Sequence, residues 1–131
     1  MTIENGRPAD ESGRLEKETA VYDLLEQLNI PFTRADHEPA FTMDACEEVA
    51  AALETKICKN LFLCNRQKTS FYLLLMPGDK PFHTKEITAQ LGCARLSFAG
   101  EEQLASLLHL TPGSATIFGL QYDTENRVQL V

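Results

Sequence analysis

The feature that most constrains the fold is a pair of apolar segments separated by a short polar linker. ICKNLFLCN occupies residues 57–65, and SFYLLLMP occupies residues 70–77. Two apolar runs of strand length joined by a few polar residues are typical of a β-hairpin. We therefore predict that this hairpin forms the centre of a sheet.

Helical and extended segments surround the hairpin without a regular βαβ alternation. The segments that read as helices are 15–28, 43–54, 84–91 and 101–110. The segments that read as short strands are 32–37, 94–99 and 127–131. Residues 111–120 read first as a loop and then as extended chain. This intermixed order predicts an α+β domain built round a mixed sheet.

The two ends of the chain differ in character. Residues 1–14 contain glycine and proline and almost no apolar side chains, so we predict a flexible N-terminal tail followed by one domain over 15–131. The chain stops at Val131, inside a strand pattern, which we interpret as a sign of C-terminal truncation.

The charge is unevenly distributed. The formal net charge is −7, which argues against broad, non-specific binding of nucleic acid. Residues 56–95, however, carry seven bases and two acids, a local net charge of +5. Such a segment can face a phosphate-bearing partner, or its cations can be ordinary solvated residues scattered over the surface. Charge alone favours the second interpretation.

Composition excludes several classes of protein. No apolar run approaches the ~18 residues that a membrane-spanning helix needs, and the polar N-terminus lacks a signal-peptide pattern, so we predict a cytoplasmic protein. The four cysteines form no C-x-x-C pair, and the three histidines are scattered. We therefore predict no metal site. Most of the cysteines read as buried hydrophobic residues, and Cys58, beside a lysine, is the most reactive candidate.

Lys59 is the first candidate for chemistry. Alternation along the strand places it on one face with Leu61 and Leu63, and places Asn60 on the other face. A lysine among aliphatic side chains is costly unless its ammonium reaches solvent or a partner. Lys59 is therefore either a functional cation or an edge-strand lysine that extends to water. A bulge would be needed to bring Asn60 into the same site.

Two further segments are weaker candidates. In Pro112–Thr116, small residues allow a close approach of the backbone, so successive N–H groups can bind an oxygen, although a plain turn has the same composition. In the segment from His37 to Thr42, the histidine alone reads more readily as structural than as a catalytic base. Thr42 or Asp44 also fits the cap of the following helix.

These segments in this order resemble one known family. H-E-P-A-F-T (37–42), K-N-L-F-L (59–63), Y-L-L-L-M-P-G-D-K (72–80), L-G-C-A-R-L-S-F-A (91–99) and T-P-G-S-A-T-I-F-G-L (111–120) are similar to the YbaK and prolyl-tRNA-synthetase-associated editing domains. The similarity is greatest to the free-standing, ProX-like branch of alanyl-tRNA(Pro) deacylases. It covers about 15–131 and implies a central mixed sheet or partial barrel flanked by helices.

The resemblance implies an enzyme that hydrolyses the ester between an amino acid and the terminal adenosine of a tRNA. It implies no metal or organic cofactor, and a monomer or weak dimer whose partners are the aminoacylated acceptor end of tRNA and a prolyl-tRNA synthetase. Lys59 and Asn60 would be the catalytic pair. The residues implied to bind substrate are Gly113, Ser114, Ala115, Phe118, Gly119, His37, Phe41 and Thr42.

Two departures from the family pattern keep a second hypothesis open. The family loop reads G-x-x-x-P, whereas Ile117 stands at the position of the proline. Family members also continue past the last strand into a segment with a histidine near the active site. Both departures favour a catalytically impaired module that binds an aminoacyl or nucleotide end or a synthetase, whereas Lys59 and Gly113 favour the deacylase. A third class, a redox or metal protein, rests on the cysteines alone.

Overall fold

A computed structural model of the chain describes residues 1–40 and 42–131. They form two compact units, an N-terminal unit, Met1–Ile57, and a C-terminal unit, Cys58–Val131. The strands are β1 (Thr2–Asn5), β2 (Thr33–Asp36), β3 (Cys58–Asn65), β4 (Phe71–Pro77), β5 (Leu96–Phe98) and β6 (Val128–Leu130). The helices are α1 (Glu16–Gln27), α2 (Met43–Ala52), α3 (Thr84–Leu91), α4 (Glu101–Leu108) and a 3₁₀ helix (Ile117–Tyr122).

The C-terminal unit confirms the predicted α+β class. Its four-stranded sheet has the order β5-β3-β4-β6, in which β3 pairs antiparallel with β4 and β5, whereas β4 pairs parallel with β6. The sheet is therefore mixed, with the predicted hairpin at its centre. Helices cover both faces because alternation along β3 and β4 makes both faces apolar.

Each face of this sheet has its own apolar cluster. On the first face, Phe62 and Leu73 pack with Leu104, Leu108 and other side chains of α4 and the chain after it. We call this the α4 face. The other cluster consists of Leu63, Leu74, Ile87 and Leu96, with Leu61, Tyr72, Met76, Phe82, Leu91, Cys93 and Val131 packed against it. Because Ile87 and Leu91 belong to α3, we call this the α3 face.

The N-terminal unit differs from the flexible tail predicted for residues 1–14. Residues 2–5 form β1, which pairs antiparallel with β2, from Thr2 opposite Asp36 to Asn5 opposite Thr33. The following residues are held by ion pairs, since Arg7 contacts Glu11, Asp23 and Glu26. The prediction missed this ordered structure because it relied on the pattern of apolar residues. The segment is held instead by strand pairing and by ion pairs with residues distant in sequence.

Three charged side chains of the N-terminal unit form a hydrogen-bonded cluster. The guanidinium of Arg34 is buried and donates to the carbonyl of Gly6 at 2.6 Å and to Asp36 Oδ2 at 3.0 Å. Arg14 donates to both oxygens of the same carboxylate, at 2.8 and 3.2 Å. These bonds, those from Arg14 foremost, hold the pKa of Asp36 at about 2.

We expect this carboxylate to make the fold sensitive to acid. Because the folded-state pKa lies below the ordinary value of 3.8, the ionised form of Asp36 stabilises the fold above about pH 4, and this contribution is lost as the pH falls towards 2. Urea midpoints measured from pH 5 to pH 2 should fall more steeply in the wild type than in Asp36→Asn. An exposed carboxylate of the other unit is the control, and Asp79→Asn should keep the wild-type slope. Equal slopes for wild type and Asp36→Asn would contradict the assignment.

Candidate functional site

Lys59 lies one residue inside β3, opposite Met76 of β4. As predicted from alternation, it is on the same face as Leu61 and Leu63, the α3 face. Its side chain is half-buried, and its ammonium donates to the carbonyl oxygen of Lys80 at 2.7 Å. An ammonium has three N–H donors, so this contact fixes its position and leaves two for other oxygens.

Asn60 points to the other face of the sheet. The pairing of β3 with β4 is regular from Cys58 to Cys64, so no bulge turns Asn60 towards Lys59. The amide Nδ2 of Asn60 instead approaches the sulfur of Cys58 at 3.8 Å, at the exposed end of the strand. The two members of the predicted catalytic pair thus lie next to each other in sequence and on opposite faces of one strand.

A cleft that the sequence did not indicate lies beside Lys59. It has a volume of about 210 Å³ and is lined by the end of β4, the turn after it and α3, including Met76, Lys80, Phe82, His83 and Glu86. The same Lys80 that lines this cleft accepts the hydrogen bond from Lys59. In the sequence, the P-G-D-K motif at 77–80 indicates a turn after β4. No local sequence pattern shows that α3 packs against this turn and forms a cleft with it.

The glycine segment forms a tight turn. The N–H of Ser114 donates to the carbonyl of Thr111 at 3.1 Å, and Gly113 has a φ of +85°. Proline at the second position and a positive φ at the third are the signature of a type II turn, which explains Pro112 and Gly113. The hydroxyl of Ser114 donates to the carbonyl of Thr111 at 2.8 Å and accepts from its N–H at 3.2 Å. The serine side chain therefore stabilises the turn.

Backbone donors next to this turn are open. Among the described residues, the N–H groups of Gly113, Ala115 and Thr116 have no hydrogen-bond partner, and Gly113 is exposed. The adjacent N–H groups of Ala115 and Thr116 are donors of the kind that can bind a carbonyl oxygen or an anion. Binding of a substrate oxygen by this segment stays a prediction.

The chain after the turn is a 3₁₀ helix, so the prediction of extended structure there was wrong. The Thr116 hydroxyl begins this helix by accepting from the N–H of Phe118 at 3.4 Å. A β-carbon placed on Gly119 would lie 2.9 Å from the carbonyl oxygen of Leu108 and 2.8 Å from Leu110. Gly119 thus permits the close packing of the 3₁₀ helix on the end of α4, whereas Phe118 is half-buried.

The remaining predicted residues belong to the N-terminal unit. His37 is exposed, and its Nδ1 lies 2.7 Å from the carbonyl of Glu38. The hydroxyl of Thr42 accepts from the N–H of Ala45 at 3.1 Å, so of the two predicted candidates Thr42 is the cap of α2 and Asp44 lies in its first turn. Phe41 lies outside the described residues. Substrate contacts by these three residues stay predictions.

The cysteines and the helices add no further site. The prediction that most of the cysteines are buried was wrong, since Cys64, in the α4 face, is the one buried cysteine of the four. Cys46 and Cys93 are half-buried, and Cys58 is exposed. In the ranges 1–40 and 42–131, no three histidine, cysteine or carboxylate side chains form a group that could hold a metal ion. No helix in the same ranges is long and apolar enough to cross a membrane.

Comparison with known proteins places these features in a class. The family model described as "Aminoacyl-tRNA editing domain" matches residues 37–131, which include Lys59, the cleft and the glycine turn. The prolyl-tRNA editing protein ProX of Acetoanaerobium sticklandii is 31% identical over 117 residues, which cover 89% of this chain and 71% of the relative. The prolyl-tRNA synthetase associated domain-containing protein 1 of Danio rerio is 31% identical over 109 residues, covering 83% of this chain and 59% of the relative.

A solved structure supports the fold. The crystal structure of the hypothetical protein APE2540 superimposes with a TM-score of 0.62 at 19% identity, and the match covers 85% of this chain and 71% of that one. At this identity the similarity concerns the fold alone. The family model and the relative ProX together define an aminoacyl-tRNA hydrolase, a deacylase that acts on the ester of a charged tRNA. The chain belongs to the aminoacyl-tRNA editing domain family, as the sequence motifs predicted.

Proposed function

We propose that this chain edits in trans by hydrolysing the ester of a mischarged small amino acid, with Ala-tRNA(Pro) as the first substrate. The observation that carries the proposal is Lys59, whose half-buried side chain places its ammonium 2.7 Å from the carbonyl oxygen of Lys80, a residue that lines the cleft. The name of the relative ProX, a prolyl-tRNA editing protein, supports the choice of tRNA. Editing is needed for such substrates because small apolar differences are worth only about 1–3 kcal/mol in a synthetase pocket.

The proposed chemistry is positioning and charge stabilisation. When water attacks the ester carbonyl, negative charge grows on its oxygen, and a fixed cation or backbone N–H groups aimed at that oxygen lower the barrier. Lys59 supplies the cation, and the turn at Gly113 and Ala115 supplies free N–H groups. The adjacent hydroxyl of the substrate's ribose is available to assist the water. Asn60, Ser114, Phe118, Gly119, His37, Phe41 and Thr42 complete the proposed contacts.

The proposed setting follows from the substrate. We place the activity in the cytoplasm, in a monomer or weak dimer, with a prolyl-tRNA synthetase as the partner whose errors are corrected. The acidic chain and its basic segment from 56 to 95 fit local contact with the acceptor end of the tRNA rather than extensive contact with its backbone.

A second candidate function is binding of the acceptor end without turnover. The arrangement of the sheet favours it, since Lys59 lies on the α3 face, whereas the glycine turn follows α4, which packs on the other face. Cation and free N–H groups then contact different parts of one bound ligand instead of one reacting oxygen.

Hydrolysis assays separate the two functions. Purified protein incubated with Ala-tRNA(Pro) should release alanine at least about tenfold faster than it releases proline from Pro-tRNA(Pro), since a pocket for a small side chain excludes a larger one. Ser- and Cys-charged tRNA(Pro) define the size limit. Release from none of these substrates by folded protein that still binds uncharged tRNA would replace the deacylase with the binding module.

A further inference from the structure

The aromatic side chain of Phe98 is exposed at an unusual place. Phe98 lies directly opposite Leu63, which is fully buried, so both point to the α3 face. Leu96, two residues earlier on the same strand and the same face, is 1% exposed, whereas Phe98 is 61% exposed. The ring of Phe98 thus lies on the α3 face of the sheet, but outside the part of that face that other side chains cover.

A second aromatic ring joins Phe98 to the cleft beside Lys59. The rings of Phe82 and Phe98 are 5.5 Å apart and inclined by 62°, an edge-to-face pair. Phe82 also lines the cleft and packs against the apolar cluster of the α3 face, so it is anchored. Phe98 therefore projects as a supported ring at the edge of the site rather than as an isolated surface residue.

Charged residues of both signs line the cleft or stand close to this aromatic pair in the sequence. Lys80 lines the cleft next to Phe82, and both it and Arg95, the residue before β5, are exposed. Glu86 also lines the cleft, and the exposed acids Glu101 and Glu102 follow Phe98 by three and four residues. Lys80 and Arg95 are thus available to a phosphate, although the region as a whole is not cationic.

Aromatic rings beside cations suit single-stranded nucleic acid. Bases stack on exposed aromatic side chains, and Lys or Arg side chains contact the phosphates between them. A protein partner with an apolar patch would use the same ring. The chain belongs to a family that acts on charged tRNA, whose amino acid is attached to an unpaired 3′ end, and this selects an unpaired RNA end as the ligand.

We propose that Phe98, supported by Phe82, is a stacking platform for an unpaired base at the 3′ end of the tRNA acceptor stem. The platform rests on the proposed function in one respect, because it assigns the RNA to the same face as Lys59. It adds a residue that positions the substrate without touching the reacting ester. Lys59 acts on catalysis, whereas Phe98 acts on binding.

Binding of uncharged RNA tests the platform independently of turnover. The probes are a fluorescent acceptor-stem minihelix with its four unpaired 3′ nucleotides and the same duplex with a blunt end. Phe98→Ala should weaken binding of the tailed minihelix about tenfold in fluorescence anisotropy and leave binding of the blunt duplex unchanged, since loss of one base stack costs about 1–3 kcal/mol. Phe98→Tyr should keep tight binding.

Leu130→Ala is the matched control. Leu130 is 52% exposed on β6, the opposite edge strand of the same sheet, and lies opposite Leu73 of the α4 face, so its loss removes a similar apolar surface from the other face of the sheet. It should leave both affinities unchanged. Unchanged affinity of Phe98→Ala for the tailed minihelix would overturn the platform, as would equal losses for both RNAs. Dissociation of a wild-type dimer by Phe98→Ala without any change in RNA binding would assign the ring to self-association instead.

Discussion

Replacing Lys59 with methionine should lower kcat/KM for deacylation of Ala-tRNA(Pro) by about 100-fold or more, because loss of one fixed donor to a developing oxyanion costs 10²–10³ in rate. Methionine keeps an unbranched apolar stem for contact with Leu61 and Met76 and removes the ammonium. The contact to the carbonyl of Lys80 is lost, but this carbonyl belongs to an exposed residue and can bond to water. The melting temperature should therefore change little.

Lys68→Met is the control for this prediction. Lys68 is exposed in the turn at the other end of the same hairpin, so the same change of charge occurs far from the cleft. It should keep at least half of the wild-type kcat/KM. If Lys59→Met retained wild-type kcat and KM while remaining folded, Lys59 would be the edge-strand lysine that merely extends to water, and the deacylase would need another cation.

Replacing Leu108 with alanine should lower the free energy of unfolding by about 2–5 kcal/mol, the range for deleting a buried leucine side chain. Leu108 is fully buried in the cluster of the α4 face. Its carbonyl oxygen and β-carbon also lie 2.9 and 3.0 Å from the position of a β-carbon on Gly119, so the backbone there is already closely packed and has little room to collapse into the cavity. When the surroundings cannot collapse into the cavity, the loss of unfolding free energy lies in the upper part of that range.

Urea denaturation followed by circular dichroism measures this loss. Leu130→Ala, on the exposed edge strand, should cost less than about 1 kcal/mol and controls for the change of residue type. A loss below about 1 kcal/mol for Leu108→Ala would show that the α4 face can repack.

Most of the local structure was accessible from the sequence. The hairpin, four α-helices and the α+β class follow from apolar periodicity, and periodicity reports which face each residue takes, as for Lys59 and Asn60. The turn at Thr111–Ser114 follows from proline and glycine, whose backbone preferences are intrinsic. The family motifs added the class of reaction, which periodicity does not contain.

The rest depended on contacts between residues distant in sequence. The pairing of β1 with β2 joins segments about 30 residues apart and is reinforced by arginines and carboxylates, which carry no apolar signal. The packing role of Gly119 exists only because α4 ends beside it. Likewise, the tyrosine and phenylalanine content of a chain cannot show that Phe98 stays exposed while Leu96 is covered by its neighbours.

The sequence by itself thus determined most of the secondary structure, the faces that Lys59 and Asn60 occupy and the family to which the chain belongs. Only the tertiary structure decided that Lys59 meets the carbonyl of Lys80, that the turn after β4 forms a cleft with α3, and that Asn60 lies on the other side of the sheet from Lys59 without a bulge to reunite them. The physical reason is that propensity and periodicity act over a few residues, whereas a site is made by side chains that the packing of whole elements brings together.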